Sequence, residues 1–196
     1  MCSKALLCIC LGAALGTAAP VTFNVNLTIG SGSVTGTIET DGTIGTLAQS
    51  DILNWDLLLN DGVSTFTLLG PLSGNNSAID FAGTDLSETS TQLLFNFSGS
   101  IGGFLLQNPG IGSGKNYFCA QTAGSGLCIS GSGEGVEVNS EDTEQITDLS
   151  GSQVIGSLSG STVPEPSTLG LLGVGALTLL LRRKQSLRSQ IFSQRL

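Results

Sequence analysis

Val21-Thr22-Phe23-Asn24-Val25-Asn26-Leu27-Thr28-Ile29 alternates apolar and polar side chains for nine residues without a break. In an extended chain that period of two turns one face to a core and the other to water, whereas a helix would scatter the same apolar groups around its axis. The stretch is a half-buried strand by pattern. Gly30-Ser31-Gly32 follows as a turn, and residues 34–39 read as its antiparallel partner. Further out, Asn60-Asp61-Gly62 separates Trp55-Asp56-Leu57-Leu58-Leu59 from Ser64-Thr65-Phe66-Thr67-Leu68, and Asp41-Gly42 is another turn signal. Residues 79–82, 92–97, 103–107, 117–121, 127–130 and 153–158 carry the same short β-type pattern. One helical turn is expected over 48–53. Residues 131–151, poor in apolar groups and rich in acids, read as a loop or weak edge region. Short strands at this spacing, divided by Gly- and Asn-rich turns, predict an all-β fold: an antiparallel β-sandwich or open barrel.

Charge narrows what such a domain touches. Between positions 19 and 163 there are 14 acidic residues against one lysine, Lys115, a net charge of −13 that the whole-chain value of −8 conceals. So negative a surface repels nucleic acid and anionic membranes, which excludes nucleic-acid partners. The cations sit instead at the two ends, each beside an apolar run.

At the first end, residues 1–18 have the order of a secretory signal peptide: Lys4, an apolar run, then Gly16 and Ala18 as the small residues before a cut. That implies passage through the Sec translocon and an exported domain over 19–160. Cys2, Cys8 and Cys10 leave with the signal and form no lipoprotein box. Cys119 and Cys128 remain, flanking a loop that holds Gly124 and Gly126, and in an oxidising compartment they fit a disulfide closing a strand-loop-strand unit.

At the other end stands Val163-Pro164-Glu165-Pro166-Ser167. Each proline fixes φ and pushes its predecessor out of the α region, so a helix begins only near Pro166, with Ser167 or Thr168 as its cap. Residues 168–181 then carry no charge, and Arg182-Arg183-Lys184 follows as a cytoplasmic stop in the positive-inside sense. The 13 residues from 169 to 181, at about 1.5 Å each, span roughly 20 Å, short of the ~30 Å of a hydrocarbon core. The expected transmembrane helix over 168–181 is thus a poor permanent anchor, suited to being cut. Residues 185–196 form a polar extension.

Pro164-Glu165-Pro166, the glycine- and leucine-rich run with Gly170, Gly173 and Gly175, and Arg182-Arg183-Lys184 together resemble the PEP-CTERM sorting domain of exported bacterial proteins. The resemblance covers about the last tenth of the chain, over 161–184. It implies an exosortase, a membrane cysteine transpeptidase that recognises and cuts near the motif, and delivery to the cell surface or extracellular matrix. The family's association with exopolysaccharide production implies a structural or adhesive role there.

Catalytic constellations are scarce. The absence of histidine removes Ser-His-Asp and Cys-His nucleophile systems and histidine zinc sites. Gly110-Ile111-Gly112-Ser113-Gly114-Lys115 falls short of a phosphate loop, since Asn116 stands where Ser or Thr is required. Glu134, Glu137, Glu141, Asp142, Glu144 and Asp148 are hard-cation ligands by chemistry but follow no EF-hand spacing, and read as a solvated acidic loop. No catalytic, cofactor or metal residue is therefore assigned, and the expectation is a non-enzymatic surface protein. A carbohydrate-binding module is the alternative, and a carboxylate-based hydrolase a further one. The former needs an exposed aromatic platform, for which Trp55 and Tyr117 are the single tryptophan and tyrosine, and Trp55 reads as core.

Overall fold

The computed structural model describes residues 18–139 and 143–158. The signal segment, the sorting motif at 163–167, the apolar run 168–181, the basic cluster 182–184 and the polar extension lie outside the described residues. No helix among the described residues is long and apolar enough to cross a membrane.

Among the described residues thirteen strands are formed: β1 Val21–Ile29, β2 Gly32–Thr40, β3 Gly45–Thr46, β4 Ile52–Asn60, β5 Thr65–Leu69, β6 Ala78–Ala82, β7 Leu86–Glu88, β8 Gln92–Asn96, β9 Gly103–Gln107, β10 Tyr117–Gln121, β11 Gly133–Glu137, β12 Thr143–Thr147 and β13 Ser152–Leu158. They make two antiparallel sheets, one in the order β3-β7-β8-β13-β1-β2-β4-β5 and the other β12-β11-β10-β9-β6. The expected all-β antiparallel class is what the described residues adopt.

The quoted stretch behaves as its period requires. Phe23, Val25 and Ile29 of β1 are buried, and Thr22, Asn24, Asn26 and Thr28 face out. Ile29 pairs with Gly32, leaving Gly30 and Ser31 as a two-residue hairpin loop. Gly30 takes φ +59°, a conformation that costs glycine little and is typical at the first position of such a turn. Gly36, in mid-strand on β2, has φ +136°, and a Cβ there would lie 2.0 Å from the carbonyl oxygen of Asp56 on β4.

One core lies between the sheets. Phe23, Ile38, Leu57, Leu59 and Phe95 come from the larger sheet, and Phe104, Leu106, Phe118 and Val136 from the smaller. Phe104 meets Phe81 and Phe118 edge-on at 6.4 and 6.0 Å, the geometry that aromatic quadrupoles favour. Trp55 belongs to this core, 2% exposed, with its Nε1–H donating to Ser77 Oγ at 2.8 Å.

Three expectations are corrected. Residues 131–151, read as a loop or weak edge region, do supply a sheet edge in β12, but they are no loop at 133–137, where β11 is an interior strand. Residues 127–130 form no strand; they lie against the sheet and are tied to it by side chains. The turn expected over 48–53 is a 3-10 turn confined to Gln49–Asp51, because Ile52 already begins β4. The short strands β3 and β7 are additional to those the pattern indicated.

Phe23 near the start of β1 pairs with Leu158 at the end of β13. The domain's first and last strands are thus neighbours, and Leu158 lies at the end of β1 remote from the Gly30-Ser31 turn. At that turn, Ser31 N donates to Glu144 Oε2 of β12 at 2.8 Å.

Candidate functional site

Alternation along the smaller sheet divides its side chains between two faces. Phe118 and Ala120 of β10 enter the core, while Tyr117, Cys119 and Gln121 point the other way. Register carries that outer face across neighbouring strands: Tyr117 stands opposite Gln107 of β9 and Glu137 of β11, and Glu137 opposite Thr143 of β12. These four residues form one row.

An outer face of a sandwich normally meets water. Here the chain leaving β10 folds back over it, and every residue of β9 and β10 is buried. Cys128 in this segment is joined by a disulfide to Cys119 of β10, with Cα atoms 6.5 Å apart. Gln121 clamps the same segment. Its Oε1 accepts from Leu127 N and Cys128 N, both at 2.8 Å, and its Nε2 donates to the carbonyls of Ile129 and Gly131 at 2.8 and 2.9 Å. Leu127, Cys128 and Ile129 thereby cover Leu105, Tyr117 and Cys119, making a second small core. The fit needs Gly135 beneath it, since a Cβ there would lie 2.6 Å from Ile129 Cγ2 and 3.2 Å from Cys119 Sγ.

Beside this flap a concave pocket of about 430 Å³ remains open. Leu105, Gln107, Tyr117, Glu137 and Thr143 come from the sheet. The flap adds Leu127 and Cys128, and the β9–β10 loop adds Ile111, Gly112 and Gly114. The polar groups are already ordered. Thr143 Oγ1 donates to Glu137 Oε2 at 2.5 Å. The Tyr117 hydroxyl lies 3.3 Å from Thr143 Oγ1 and 3.5 Å from the carbonyl oxygen of Cys128, to which it can donate. Tyr117, Thr143 and Glu137 thus stand side by side, with the Glu137 carboxylate accepting from Thr143. Burial pushes the Tyr117 hydroxyl up to about 12, with the Glu137 charge acting in the same direction and Thr143 against it. Tyr117 is thus a neutral hydroxyl at any physiological pH. Across the pocket, Gln107 Oε1 accepts from Gly112 N at 2.6 Å, which fixes both the side chain and the loop.

Of the acids grouped together in the sequence, Glu141 and Asp142 lie outside the described residues, and the described ones face different ways. Glu137 is on the outer face, and Glu134, an odd three positions earlier on the same strand, is on the inner one, 5% exposed. Burial raises the Glu134 carboxyl to about 7. Glu144 is held below the usual carboxylate range by its hydrogen bonds with Ser31. Elsewhere, Glu88 is 2% exposed and neither carboxylate oxygen reaches a donor. Burial raises it first and the nearby Asp41 and Asp51 add to this, outweighing an opposing pull from Thr40 that falls short of a hydrogen bond. Among the described residues no three Asp, Glu or Cys side chains are grouped to hold a metal ion.

Of the residues singled out in the sequence, Cys119 and Cys128 are brought together. Tyr117 is found in the pocket and Trp55 in the core. Val163, Pro164, Glu165, Pro166 and Ser167, with Arg182, Arg183 and Lys184, fall outside the described residues. Gln107, Gln121 and Thr143 carried no sequence signal, because isolated polar residues in strands acquire meaning only from register.

Residues 162–184 match the family model described as the PEP-CTERM protein-sorting motif. No curated protein and no solved structure matches the chain.

Proposed function

We propose that this is a non-enzymatic exported protein, delivered and processed through the motif at 162–184, whose β-domain serves in the cell surface or extracellular matrix of a bacterium. The observation that carries the reading is the motif match itself, with Pro164-Glu165-Pro166 ahead of an uncharged run and Arg182-Arg183-Lys184. The motif implies a protein that transits the membrane and is handled by an exosortase-type transpeptidase. Entry through the Sec translocon follows from the signal-like residues 1–18.

The domain suits such a destination. A disulfide between Cys119 and Cys128 is a fixture of oxidising compartments. A net charge of −13 over 19–163 keeps the domain soluble and away from anionic surfaces. Structural service also agrees with described acids that are spread over different faces, Glu134 inward and Glu137 outward.

The test replaces Pro164→Ala together with Glu165→Ala in a host carrying an exosortase. The full-length form is expected to accumulate in the inner membrane. Wild-type and variant chains with the same fate and the same mass would refute recognition through the motif.

A further inference from the structure

We propose that the pocket over Tyr117 binds a single saccharide residue of a neutral or amine-bearing glycan. This deepens the surface-protein reading by naming what the β-domain holds, and it rests on that reading for its location outside the cell.

Size and lining come first. A volume of about 430 Å³ lies within the ~300–1,000 Å³ of small-ligand sites, which combine apolar walls with a few placed polar groups. Leu105, Ile111 and Leu127 offer apolar contact for the C–H face of a sugar ring. The ring's hydroxyls find two kinds of partner. Glu137, a carboxylate beside Thr143 and Tyr117, accepts. Gln107 has its oxygen engaged by Gly112 N, which leaves its amide hydrogens as the donors of that side chain. A ligand that both donates and accepts matches this set better than a purely apolar one.

Charge then selects among sugars. The carboxylate of Glu137 lines a pocket in a domain of net charge −13, so uronic acids and sulfated sugars are repelled while neutral or cationic residues are not. Preorganisation adds to affinity by lowering the cost of ordering. Three ties hold the walls before any ligand arrives: the Cys119–Cys128 bond, the Gln121 clamp and the Gly112–Gln107 bond. Location agrees as well. Glu137 and Thr143 adjoin Glu144, which bonds to the β1–β2 turn, at the end of β1 away from Leu158, where the described domain ends before the sorting tail. The pocket therefore lies toward the β1–β2 turn, at the end of β1 opposite Leu158.

The chain contains one tyrosine, so ring-13C-tyrosine labelling of the full-length protein in detergent micelles yields one reporter inside the pocket. Titrants are an oligosaccharide of β-linked glucose, one of glucosamine and one of galacturonic acid. The tyrosine signal is expected to shift saturably with the first or second, with Kd below about 1 mM, and not with the third. Ile111→Asp, at a position 43% exposed, places a charge on the lip without touching the core and should weaken binding at least tenfold. Glu137→Gln should reduce affinity as well, with the thermal melt of both variants reported beside it. No shift with glucose or glucosamine oligomers would overturn the proposal. So would a shift indifferent to both substitutions, or equal binding of the galacturonate oligomer. Failure here with a correctly processed tail would remove only the glycan, whereas glycan binding by a chain that keeps its tail would remove only the sorting reading.

Discussion

Replacing Glu134 by glutamine should stabilise the domain at pH 8 and change little at pH 5. Glu134 sits on β11 with its side chain on the core face, 5% exposed, and burial raises its carboxyl to about 7 from the usual 4.5. The sign follows from linkage: between those two values the folded chain holds a proton that the unfolded chain has released, so stability falls as pH rises through the window. A displacement of about 2.5 units at ~1.36 kcal/mol each gives roughly 3 kcal/mol once both states are ionised. At pH 5 most of that cost is absent, because the folded carboxyl is still protonated. Glutamine has nearly the same shape and never ionises. The variant should therefore melt roughly 5–10 °C above the parent at pH 8, and within a few degrees of it at pH 5. Glu88 and Asp85, also raised by burial, are common to both proteins and cancel in the difference. Calorimetry or circular dichroism at the two pH values decides it. An equal effect at both, or a destabilised variant at pH 8, would show that the Glu134 charge is not buried in the way described.

Removing the disulfide with Cys119→Ala and Cys128→Ala should cost about 2–3 kcal/mol from loop closure alone; a melt unchanged by substitution or by reductant would contradict the role given to the flap. Gly36→Ala should destabilise by more than about 2 kcal/mol, since its Cβ meets the Asp56 carbonyl at 2.0 Å and its φ is +136°; a shift under 1 °C in the melt would refute that. Trp55→Phe should cost about 1–3 kcal/mol, leaving Ser77 Oγ without the buried indole N–H that reaches it at 2.8 Å, as read by urea denaturation.

The all-β fold was legible because β1, β4, β9 and β10 carry uninterrupted strand patterns. What failed was the reading of 127–138, and one physical cause explains both errors there. Leu127 and Ile129 alternate like a strand because they cover the outer face of the sheet rather than join it. Gly133 and Gly135 look like loop residues because they lie close beneath neighbouring groups: a Cβ at 133 would come within 1.8 Å of the Ile146 carbonyl oxygen. Intrinsic strand preference ranks glycine low, and close approach overrides it. Glu134 added to the misreading, since a carboxylate on the core side breaks the expected pattern. Of the pocket's lining, Tyr117, Cys128, Glu137 and the loop at 111–114 stand out in the sequence, each for a different reason and none as a pocket. Gln107, Glu137 and Thr143 are adjacent through strand register alone, which a linear reading of the chain does not contain.

Sorting through the tail is tested most directly by the mass of the mature protein. Wild-type chain would be recovered from the surface or medium of an exosortase-bearing host, and its C-terminal peptide sequenced by mass spectrometry. Processing at the motif predicts an end near Pro164-Glu165-Pro166, with the run 168–181 and Arg182-Arg183-Lys184 gone. A mature chain that still ends at Leu196 would contradict it.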